Sequence, residues 1–389
     1  MEIPFNRPLV LGTEQALLWE VFDSKRFAGN GSFGNRCQQE LEKQFGYQKA
    51  LLTTSCTSAL ELSALLLNIG EGDEVIIPSY AFVTTANAFA NRGAKIVFAD
   101  SRSDHPSIDE SVVEELITPR TKAIVVLHYG GVACEMDTLK AIADKHSIHL
   151  IEDNAQGIGC YYKSQPLGGI GTLGALSFHE TKNIHCGEGG AILINDPALV
   201  SRAEIVWDMG TNRQEFKDGK VNNYGWVDLG SSFYPSALNA AFLLAQLPKV
   251  EEVNARRVGL WNNYFEAFEA LENQGKIERP KVPAYANHNG HTFYLITESK
   301  HQRDGLISHL AENGIAATFH FQSLHRSKYF ADKHSGNSLP NADRFSDFLV
   351  RLPLYYDFSL DDQQQVINET LRFFRASNAS RNFRPLTHG

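Results

Sequence analysis

The chain has 389 residues, of which 43% are hydrophobic and 11% aromatic, and its formal net charge is -9. This length is enough for two or three domains, and the composition is that of a globular protein with ample material for a core. The acidic balance argues against a general nucleic-acid-binding surface, which needs an excess of Lys and Arg.

Cysteine usage and the N-terminal sequence indicate the compartment. Five cysteines are scattered along the chain and form no CxxC pair, so neither a disulfide framework nor a zinc ribbon is indicated. His179, His185 and Cys186 come nearest to a metal-ligand cluster, but their spacing fits no common site. The stretch MEIPFNRPLV lacks a charged-then-apolar signal pattern, and no apolar run approaches membrane-spanning length. We therefore expect a protein of the reducing cytoplasm, without a metal or a membrane partner.

Short apolar runs alternate with helical patterns from about residue 47 onward. The patterns SALELSALLLNIG, TTANAFANRGA and MDTLKAIADKHS predict helices. The runs GALSFHETKN and GGAILIND read as two further strands joined by a turn. This alternation predicts a mostly parallel sheet between layers of helices. The runs KALLTT, DEVIIPS, KIVFAD, TKAIVVLHY and IHLIEDNAQ predict its strands over residues 49–54, 73–79, 95–100, 121–129 and 148–156.

The character of the sequence changes after about Leu247. A charge-rich helical pattern, QLPKVEEVNARRVGLWNNYFEAFEALEN, leads through a Pro-punctuated segment to HTFYLITES, which alternates as a strand does. The stretch GLISHLAENGIAATFHF then predicts a helix, a glycine turn and a strand. We therefore divide the chain into a large domain, residues 1–247, and a smaller α+β domain, residues 248–389.

A ligand is expected at the predicted strand ends, because parallel α/β sheets bind ligands outside the carboxyl ends of their strands. The strand KALLTT leads into TTSCTSAL, in which small hydroxyl residues begin a helix. Free backbone N–H groups and the helix dipole make such a start a seat for a phosphate. Ser and Thr also serve there as simple N-caps, so both interpretations stay open.

Acidic and amide side chains follow the strand HLIED. Glu152 and Asp153 end it, and Gln156 comes just after. A carboxylate at this edge is partly desolvated and needs a partner, which is either a Lys or Arg of the chain or a cationic nitrogen of a ligand. The strand ALSF then brings Ser177 and, five residues later, Lys182. A lysine at a turn is usually just solvated, so Lys182 by itself does not indicate a catalytic role.

Together, a phosphate seat, a buried acid and a lysine at one sheet edge match the chemistry of pyridoxal phosphate. This cofactor carries a phosphate, a ring nitrogen that must stay protonated to accept electrons, and an aldehyde that condenses with lysine. Each feature alone is weak evidence. The three in this chain order favour a pyridoxal-phosphate enzyme.

Several stretches resemble the sugar aminotransferases of the DegT/DnrJ/EryC1/StrS family. The resemblance runs from IPFNRP to about residue 375, through GDEVIIPSYAFVTTANAF, HYGGVACEMD, EDNAQGIGCYYKSQPLG, SFHETKN and GEGGAILIND. It implies the α/β fold of PLP-dependent aspartate aminotransferases (type I), with a large domain on a mostly parallel seven-stranded sheet and a smaller α+β C-terminal domain. It also implies a homodimer whose active sites are shared at the interface.

The resemblance assigns two catalytic residues and several cofactor contacts. Lys182 takes the position of the lysine that condenses with the cofactor, and serves as general base and acid. Asp153 takes the position that pairs with the pyridinium nitrogen, and Gln156 lies by the ring face or its phenolic oxygen. Phe82, in SYAFVTT, takes the position of the aromatic residue that stacks on the ring.

The phosphate contacts follow from the same resemblance. Thr57 and Ser58 are placed to donate to the phosphate, together with Ser177. Many family members add an Asn from the second subunit, in a GxNxR stretch. This chain reads GSSFYPS there and places Ser232 at that position, a weaker donor that marks a subgroup.

Within the family, FHETKN with GTNRQEF and DLGSSF is most similar to bacterial dTDP-4-amino-4,6-dideoxygalactose (TDP-fucosamine) transaminases. The resemblance implies glutamate as amino donor and dTDP-4-keto-6-deoxy-D-glucose as acceptor, aminated at C4 for cell-surface glycan synthesis. Other members aminate C3 or give the opposite configuration at C4, and the sequence barely separates these reactions.

Further side chains are candidates for the substrate site, each no better supported than a structural role. His320 and His325 lie where the small domain closes over a sugar. Arg213, in the polar loop GTNRQEFKDGK, is placed to meet the diphosphate, and a solvated loop arginine is the alternative. Tyr80 and His128 stand at strand ends and are candidates for lining the sugar site. His179, two residues after Ser177, is a candidate only for packing.

Two other classes of function stay open. Family members with histidine in place of the lysine remove a hydroxyl group, and Lys182 argues against that reaction. A nucleotide-sugar or dinucleotide binding module without catalysis is the second alternative. A Rossmann dehydrogenase needs GxGxxG at the first strand–helix turn, and TTSCTSA has no glycine. A binder without catalysis does not need both Lys182 and Asp153.

Overall fold

This computed structural model describes residues 2–381 of the chain. The helices of this part are α1 (Glu14–Ser24), α2 (Ser32–Phe45), α3 (Cys56–Leu66), α4 (Val83–Ala90), α5 (Glu110–Val113), α6 (Met136–His146), α7 (Val200–Trp207), α8 (Arg213–Lys217), α9 (Ala237–Gln246), α10 (Val250–Ala267), α11 (Glu269–Asn273), α12 (Lys300–Glu312), α13 (Pro340–Phe348) and α14 (Leu360–Arg381). The strands are β1 (Ala50–Thr53), β2 (Glu74–Pro78), β3 (Lys95–Ala99), β4 (Thr121–Leu127), β5 (His149–Asn154), β6 (Tyr161–Tyr162), β7 (Gln165–Pro166), β8 (Leu173–Ser177), β9 (Gly190–Ile194), β10 (Ile277–Glu278), β11 (Phe293–Thr297), β12 (Thr318–Phe319) and β13 (Leu349–Leu352).

Seven strands form the large sheet, in the order β1-β9-β8-β5-β4-β2-β3. Strands β8, β5, β4, β2 and β3 pair in parallel, whereas β9 is antiparallel to both of its neighbours. Every residue of β1, β2, β8 and β9 is buried, because helices cover both faces of the sheet. The predicted mostly parallel sheet is therefore confirmed, including the five strands expected between residues 49 and 156.

The turn between β8 and β9 begins and ends at paired residues, Ser177 and Gly190. Gly190 also packs against the start of α3. A Cβ atom there would lie 2.4 Å from the carbonyl carbon of Ser55 and 2.5 Å from the amide nitrogen of Cys56, so only glycine fits. This close approach brings the first turn of α3 beside the loop that carries Lys182.

A second, four-stranded antiparallel sheet has the order β10-β11-β13-β12. The N-terminal segment joins this part of the molecule. The amide of Ile3 donates to the carbonyl of Gly314 at 2.7 Å, and the amide of Ala316 donates to the carbonyl of Ile3 at 2.9 Å. The long charge-rich helix is confirmed as α10 but ends at Ala267.

The two sheets share apolar contacts. Tyr294, Phe345 and Leu349, from the region of the small sheet, belong to the same buried cluster as the α3 and β2 residues of the large sheet. The domain boundary at residue 247 stays a prediction, and residues 382–389 of the predicted second domain lie outside the described part.

All five cysteines are free thiols. No helix within residues 2–381 combines the length and apolar character that crossing a membrane requires.

Candidate active site

A cleft of about 480 Å³ opens at the carboxyl ends of the large-sheet strands. Residues at or just after the carboxyl ends of β1, β2, β4, β5 and β8 line one side, and residues of the small-sheet region and of the N-terminal segment line the other. Seven of the predicted site residues meet here: Thr57, Phe82, Asp153, Gln156, Ser177, Lys182 and His320.

Asp153, the second-to-last residue of β5, is a buried carboxylate with 4% of its surface exposed. Thr85 donates to its Oδ2 at 2.7 Å, and the amide of Ala155 donates to its Oδ1 at 3.2 Å. The thiol of Cys56 lies 3.9 Å from Oδ1. Burial raises the pKa of Asp153, and the bonds from Thr85 and Ala155 and the charge of Lys182 act in the opposite direction. Among the described residues, no Lys, Arg or His forms an ion pair with it.

Lys182 enters the same cleft from the β8–β9 turn. The amine is partly buried, and this burial lowers its pKa, against the influence of Cys56 and Asp153. Within residues 2–381 its amino group forms neither a hydrogen bond nor an ion pair. A lysine that is desolvated and unpaired is a ready nucleophile, so the solvated-turn interpretation is wrong for Lys182.

The first turn of α3 presents hydroxyl and amide groups to the cleft. Ser55 is the N-cap and accepts a 3.0 Å bond from the amide of Ser58. The Ser58 hydroxyl lies 2.9 Å from that of Thr54. Thr57 lines the cleft, and its amide belongs to the N–H groups that have no intrahelical partner. The N-cap interpretation is therefore confirmed, and Thr57 rather than Ser58 faces the cleft, while the phosphate seat stays a prediction.

Gln156 and Phe82 flank the middle of the cleft. The Gln156 side-chain oxygen accepts a 2.6 Å bond from the amide of Gly130, which leaves its NH₂ group as a donor. Phe82 is 54% exposed although it is aromatic, and its ring lies 6.1 Å from that of Phe321. Exposure of this kind on a cleft wall suits a ring that stacks on a flat ligand.

His320 lines the cleft, with its Nδ1 2.7 Å from the hydroxyl of Tyr129. Burial lowers its pKa well below the usual value, and the charges of Arg351 and Lys182 lower it further, so the imidazole is neutral. His179 also lines the cleft, where its Nε2 lies 3.5 Å from Glu188.

Three predicted lining residues are buried beneath the cleft. Tyr80 is fully buried, and its hydroxyl donates to the carbonyl of His320 at 2.6 Å, so it supports the cleft wall. His325 bonds to the hydroxyl of Ser79 at 2.7 Å. The predictions that Tyr80, His128 and His325 face a sugar are wrong in this structure, because each side chain satisfies a buried polar group.

His128 packs behind the sheet against Glu152. Its Nδ1 accepts a 3.2 Å bond from the amide of Cys134, so its proton lies on Nε2, which donates to Glu152 at 2.9 Å. The same carboxylate accepts bonds from the amides of Gly168, Ile170 and Gly171 at 2.6–2.7 Å. Glu152 therefore anchors the loop behind β5, while its neighbour Asp153 faces the cleft.

Arg213 and Ser232 are not among the residues that line the cleft. Arg213 is paired with the buried Asp208, with Nε 3.1 Å from Oδ2, so its guanidinium is not available to a diphosphate in this conformation. Ser232 is exposed and pairs with Asp208 as an isolated β-bridge. Its role at the phosphate of a second subunit stays a prediction.

The structure adds residues that the sequence did not indicate, namely Phe5, Asn6, Cys56, His291 and Arg351. Asn183 donates from its NH₂ group to Asn254 and to the carbonyl of Asn289. Its oxygen must then accept from Nδ1 of His291, at 3.1 Å, which leaves Nε2 of His291 as an acceptor. Arg351 had one signal, a lone charge inside the apolar run LVRLPL.

The chain is similar to known aminotransferases in sequence and fold. A family model described as the DegT/DnrJ/EryC1/StrS aminotransferase family matches residues 11–371. The aminotransferase TlmJ from Streptoalloteichus hindustanus is 27% identical, with a TM-score of 0.89 over 97% of this chain and 100% of that chain. DesV from S. venezuelae, solved in complex with a ketimine intermediate, is 29% identical, with a TM-score of 0.86 over 96% and 98%. NtdA from Bacillus subtilis, solved with bound cofactor PMP, is 26% identical, with a TM-score of 0.84 over 93% and 81%.

Proposed function

The chain belongs to the DegT/DnrJ/EryC1/StrS aminotransferase family and is a pyridoxal-phosphate-dependent sugar aminotransferase, and from this premise we propose its reaction. It moves an amino group from glutamate to C4 of dTDP-4-keto-6-deoxy-D-glucose. The product is dTDP-4-amino-4,6-dideoxy-D-galactose, a precursor for cell-surface glycans. We place the enzyme and its reaction in the cytoplasm.

One observation carries the cofactor assignment, namely that Asp153 is buried and has no cationic partner among the described residues. A buried carboxylate without a counter-charge is costly. A protonated ring nitrogen supplies that charge. Lys182, unpaired in the same cleft, supplies the amine that the cofactor aldehyde needs.

The remaining contacts fit the other parts of the cofactor. We assign the phosphate to the first turn of α3, with Thr57 and Ser177 as donors, because the amide and hydroxyl of Ser58 already bond to Ser55 and Thr54. The unpaired amides and the dipole of this helix start favour an anion. Phe82 covers one face of the ring, and the free NH₂ group of Gln156 meets its other face or phenolic oxygen.

When bound, pyridoxal phosphate supplies an aldehyde that condenses with amines and a protonated ring that takes up the charge left when a neighbouring carbon loses its proton. Asp153 holds that ring nitrogen protonated. Lys182 Nζ takes the proton from the carbon of the donor and returns it at the cofactor carbon, because its lowered pKa leaves a neutral fraction that accepts protons.

We include a homodimer in the proposal. The segment between α8 and α9 exposes four large apolar side chains, with Trp226 77%, Leu229 57%, Val227 55% and Tyr224 53% exposed. Exposed apolar patches of this kind mark protein–protein contacts. A second copy that covers this loop brings Ser232 towards the neighbouring phosphate.

Two measurements test the function in turn. Purified protein incubated with pyridoxal phosphate is expected to show a visible absorbance band that borohydride removes, and Lys182→Ala is expected to lack it. Turnover with glutamate and dTDP-4-keto-6-deoxy-D-glucose is then followed by NMR of the amino sugar. Lys182→Arg is expected to be inactive, because a guanidinium does not condense with an aldehyde.

The outcomes separate the alternatives. An amine at C3, or the opposite configuration at C4, contradicts the proposed substrate and leaves the cofactor chemistry intact. Absence of the band in the wild-type protein, with nucleotide-sugar binding retained, contradicts transamination and favours a binding protein.

A further inference from the structure

A second pocket, the α12 pocket, has a volume of about 410 Å³ and lies next to the wall of the cleft. It is enclosed by the first two turns of α12, the last turn of α13, the segment 319–323 and Arg326. Phe319 and Ser323 line the α12 pocket, whereas His320 and Phe321 between them line the cleft. The two cavities therefore share this segment as a wall. A pocket of this size is large enough for a small molecule, and the proposed reaction does not use it.

One end of the α12 pocket carries an excess of positive charge. Asp304 accepts from Lys300 Nζ at 2.5 Å and from Arg303 Nε at 2.6 Å, so two cations share a single carboxylate. The Arg303 side chain is only 6% exposed. Its Nη1 donates to the carbonyl of Ser346 at 3.4 Å, and its Nη2 has no partner among the described residues. A buried guanidinium with an open edge suits an oxyanion.

The neighbouring end carries an excess of negative charge. Nη1 of Arg326 lies 3.2 Å from Asp347 and 3.3 Å from Asp343, so two carboxylates share one guanidinium. Asp347 lines the pocket and directly follows Ser346, whose carbonyl accepts from Arg303. The positive and negative ends therefore lie side by side, as the carboxylate and the ammonium group do in an amino acid.

Ser323 adds a hydroxyl group that the protein leaves without a partner. It is 1% exposed, and its Oγ forms no hydrogen bond with any described residue. The hydroxyl groups of Ser63 and Ser79 are equally buried, and they bond to the carbonyl of Ala59 and to His325. A buried hydroxyl group without a partner on a pocket wall indicates a ligand that supplies one.

Phe319 gives the α12 pocket a flat apolar wall. It is the last residue of β12, and it is 48% exposed although it is aromatic. Its ring centre lies 5.5 Å from the guanidinium carbon of Arg303, so the ring stands beside the positive end. An exposed ring in this place favours a ligand that has an apolar group close to its oxyanion.

We propose that the α12 pocket binds a free amino acid with a flat, apolar side chain. The carboxylate of the ligand accepts from Arg303 Nη2 and from the Ser323 hydroxyl, close to the charge of Lys300. Its ammonium group donates to Asp347, and its side chain packs on Phe319. A ligand with a single charge satisfies only one end of the pocket.

The bound amino acid is expected to act as an effector of the cleft. A ligand that packs on Phe319 and bonds to Ser323 fixes both ends of the shared segment, and His320 and Phe321 lie between those ends. Phe321 has a φ of 48°, which residues other than glycine rarely adopt, so the path of the backbone at this point is restricted. The cleft wall thus senses whether the α12 pocket is occupied.

Calorimetric titration of the pyridoxal-phosphate-loaded protein with L-phenylalanine tests the site. Phe319→Ala is expected to weaken binding by about 10-fold, and Ser323→Ala by about 3- to 10-fold. Ser323→Ala is expected to melt no lower than the wild type, because no hydrogen bond within the protein is lost. The matched controls are Leu360→Ala, at an apolar residue that is 57% exposed, and Ser63→Ala, and both are expected to bind as the wild type does. Binding that is equal in all five proteins reports the cleft and overturns the proposal.

Two analogues test the two charges of the ligand. 3-Phenylpropanoate lacks the ammonium group and 2-phenylethylamine lacks the carboxylate, and each is expected to bind about 10-fold more weakly than L-phenylalanine, or worse. An analogue that binds as tightly as L-phenylalanine overturns the assignment of a zwitterion. Absence of binding by all three compounds overturns the site.

The effector role is tested by turnover. L-Phenylalanine is expected to change KM for dTDP-4-keto-6-deoxy-D-glucose by about fivefold or more in the wild type and not in Phe319→Ala. A change that persists in Phe319→Ala reflects competition in the cleft and overturns the effector role, and so does an unchanged KM in the wild type. A wild type that does not turn over contradicts the proposed function instead, and the titrations still decide whether the α12 pocket binds an amino acid.

Discussion

Thr85 Oγ1 donates a 2.7 Å hydrogen bond to Oδ2 of Asp153, which joins the first turn of α4 to the end of β5. Burial raises the pKa of Asp153, and this bond is the largest influence that lowers it again. Thr85 thus helps to keep Asp153 ionised, and Asp153 is the residue that we propose to pair with the ring nitrogen of the cofactor.

Replacing Thr85 with valine is expected to slow transamination. The variant keeps the shape of the side chain but removes the donor, so the pKa of Asp153 rises further. A bond to a charged group is worth about 1.5–3 kcal/mol, so kcat is expected to fall by about tenfold or more. The acidic limb of the pH–rate profile is expected to move to higher pH.

Thr85→Ser is the matched control, because it retains the hydroxyl group. It is expected to keep the profile of the wild type. A Thr85→Val enzyme with an unchanged acidic limb contradicts the role given to this bond.

Asp153→Asn is expected to stabilise the cofactor-free protein while it abolishes function. The folded-state pKa of Asp153 is raised, so its contribution to stability is present below its unfolded pKa of about 3.9 and is lost as the pH rises through the folded value. At about neutral pH the apo protein therefore carries the cost of a buried carboxylate, and asparagine removes that cost.

Thermal denaturation of apo proteins checks this prediction. The variant is expected to have the higher melting temperature at about pH 7.5, and the difference is expected to shrink towards about pH 4, as Asp153 becomes protonated. A variant less stable than wild type at neutral pH contradicts the argument. Cofactor retention, measured by the visible band, is expected to fall in the variant.

The sequence predicted the sheet well because buried parallel strands are continuous apolar runs. The β2 run VII and the β4 run AIVVL have no polar interruption, so their bounds could be read within a residue or two. Helices α1 and α2 precede the region where the pattern begins, and they were not predicted.

Side-chain direction at strand ends was harder to predict. His128 and Asp153 both stand at the ends of neighbouring strands, but His128 turns to Glu152 behind the sheet and Asp153 faces the cleft. The two side chains point in different directions because different polar groups lie next to them in the folded protein, and the order of residues along the chain does not reveal those groups. Arg351 lines the cleft but was not predicted to do so, because the other residues of the cleft wall come from distant parts of the chain, such as the N-terminal segment and the β8–β9 turn.

Glu152→Gln is expected to destabilise the protein. The carboxylate accepts bonds from His128 and from the amides of Gly168, Ile170 and Gly171. Glutamine replaces one acceptor oxygen with a donor, which leaves at least one buried amide facing another N–H group. We expect a loss of about 2–3 kcal/mol in the free energy of unfolding, measured in urea.

Glu312→Gln, at the exposed end of α12, is the control for this substitution and is expected to change stability by less than about 0.5 kcal/mol. Equal stabilities of the two variants contradict the anchoring role of Glu152.

Trp226→Glu is expected to separate the proposed dimer into monomers. Trp226 is 77% exposed in one chain, and its indole N–H donates to the carbonyl of Asp228 at 2.6 Å, so the ring is held outward. In a two-fold dimer each substitution acts twice, and a buried tryptophan contributes about 2 kcal/mol or more. The dissociation constant is then expected to rise by about a thousandfold. Light scattering at micromolar concentration measures this change.

Leu360→Glu is the control, because it places the same charge on a 57% exposed apolar residue at the start of α14. This variant is expected to stay dimeric. If Trp226→Glu monomers keep full activity, Ser232 is not shared between subunits, because a monomer has no neighbouring phosphate for it to reach.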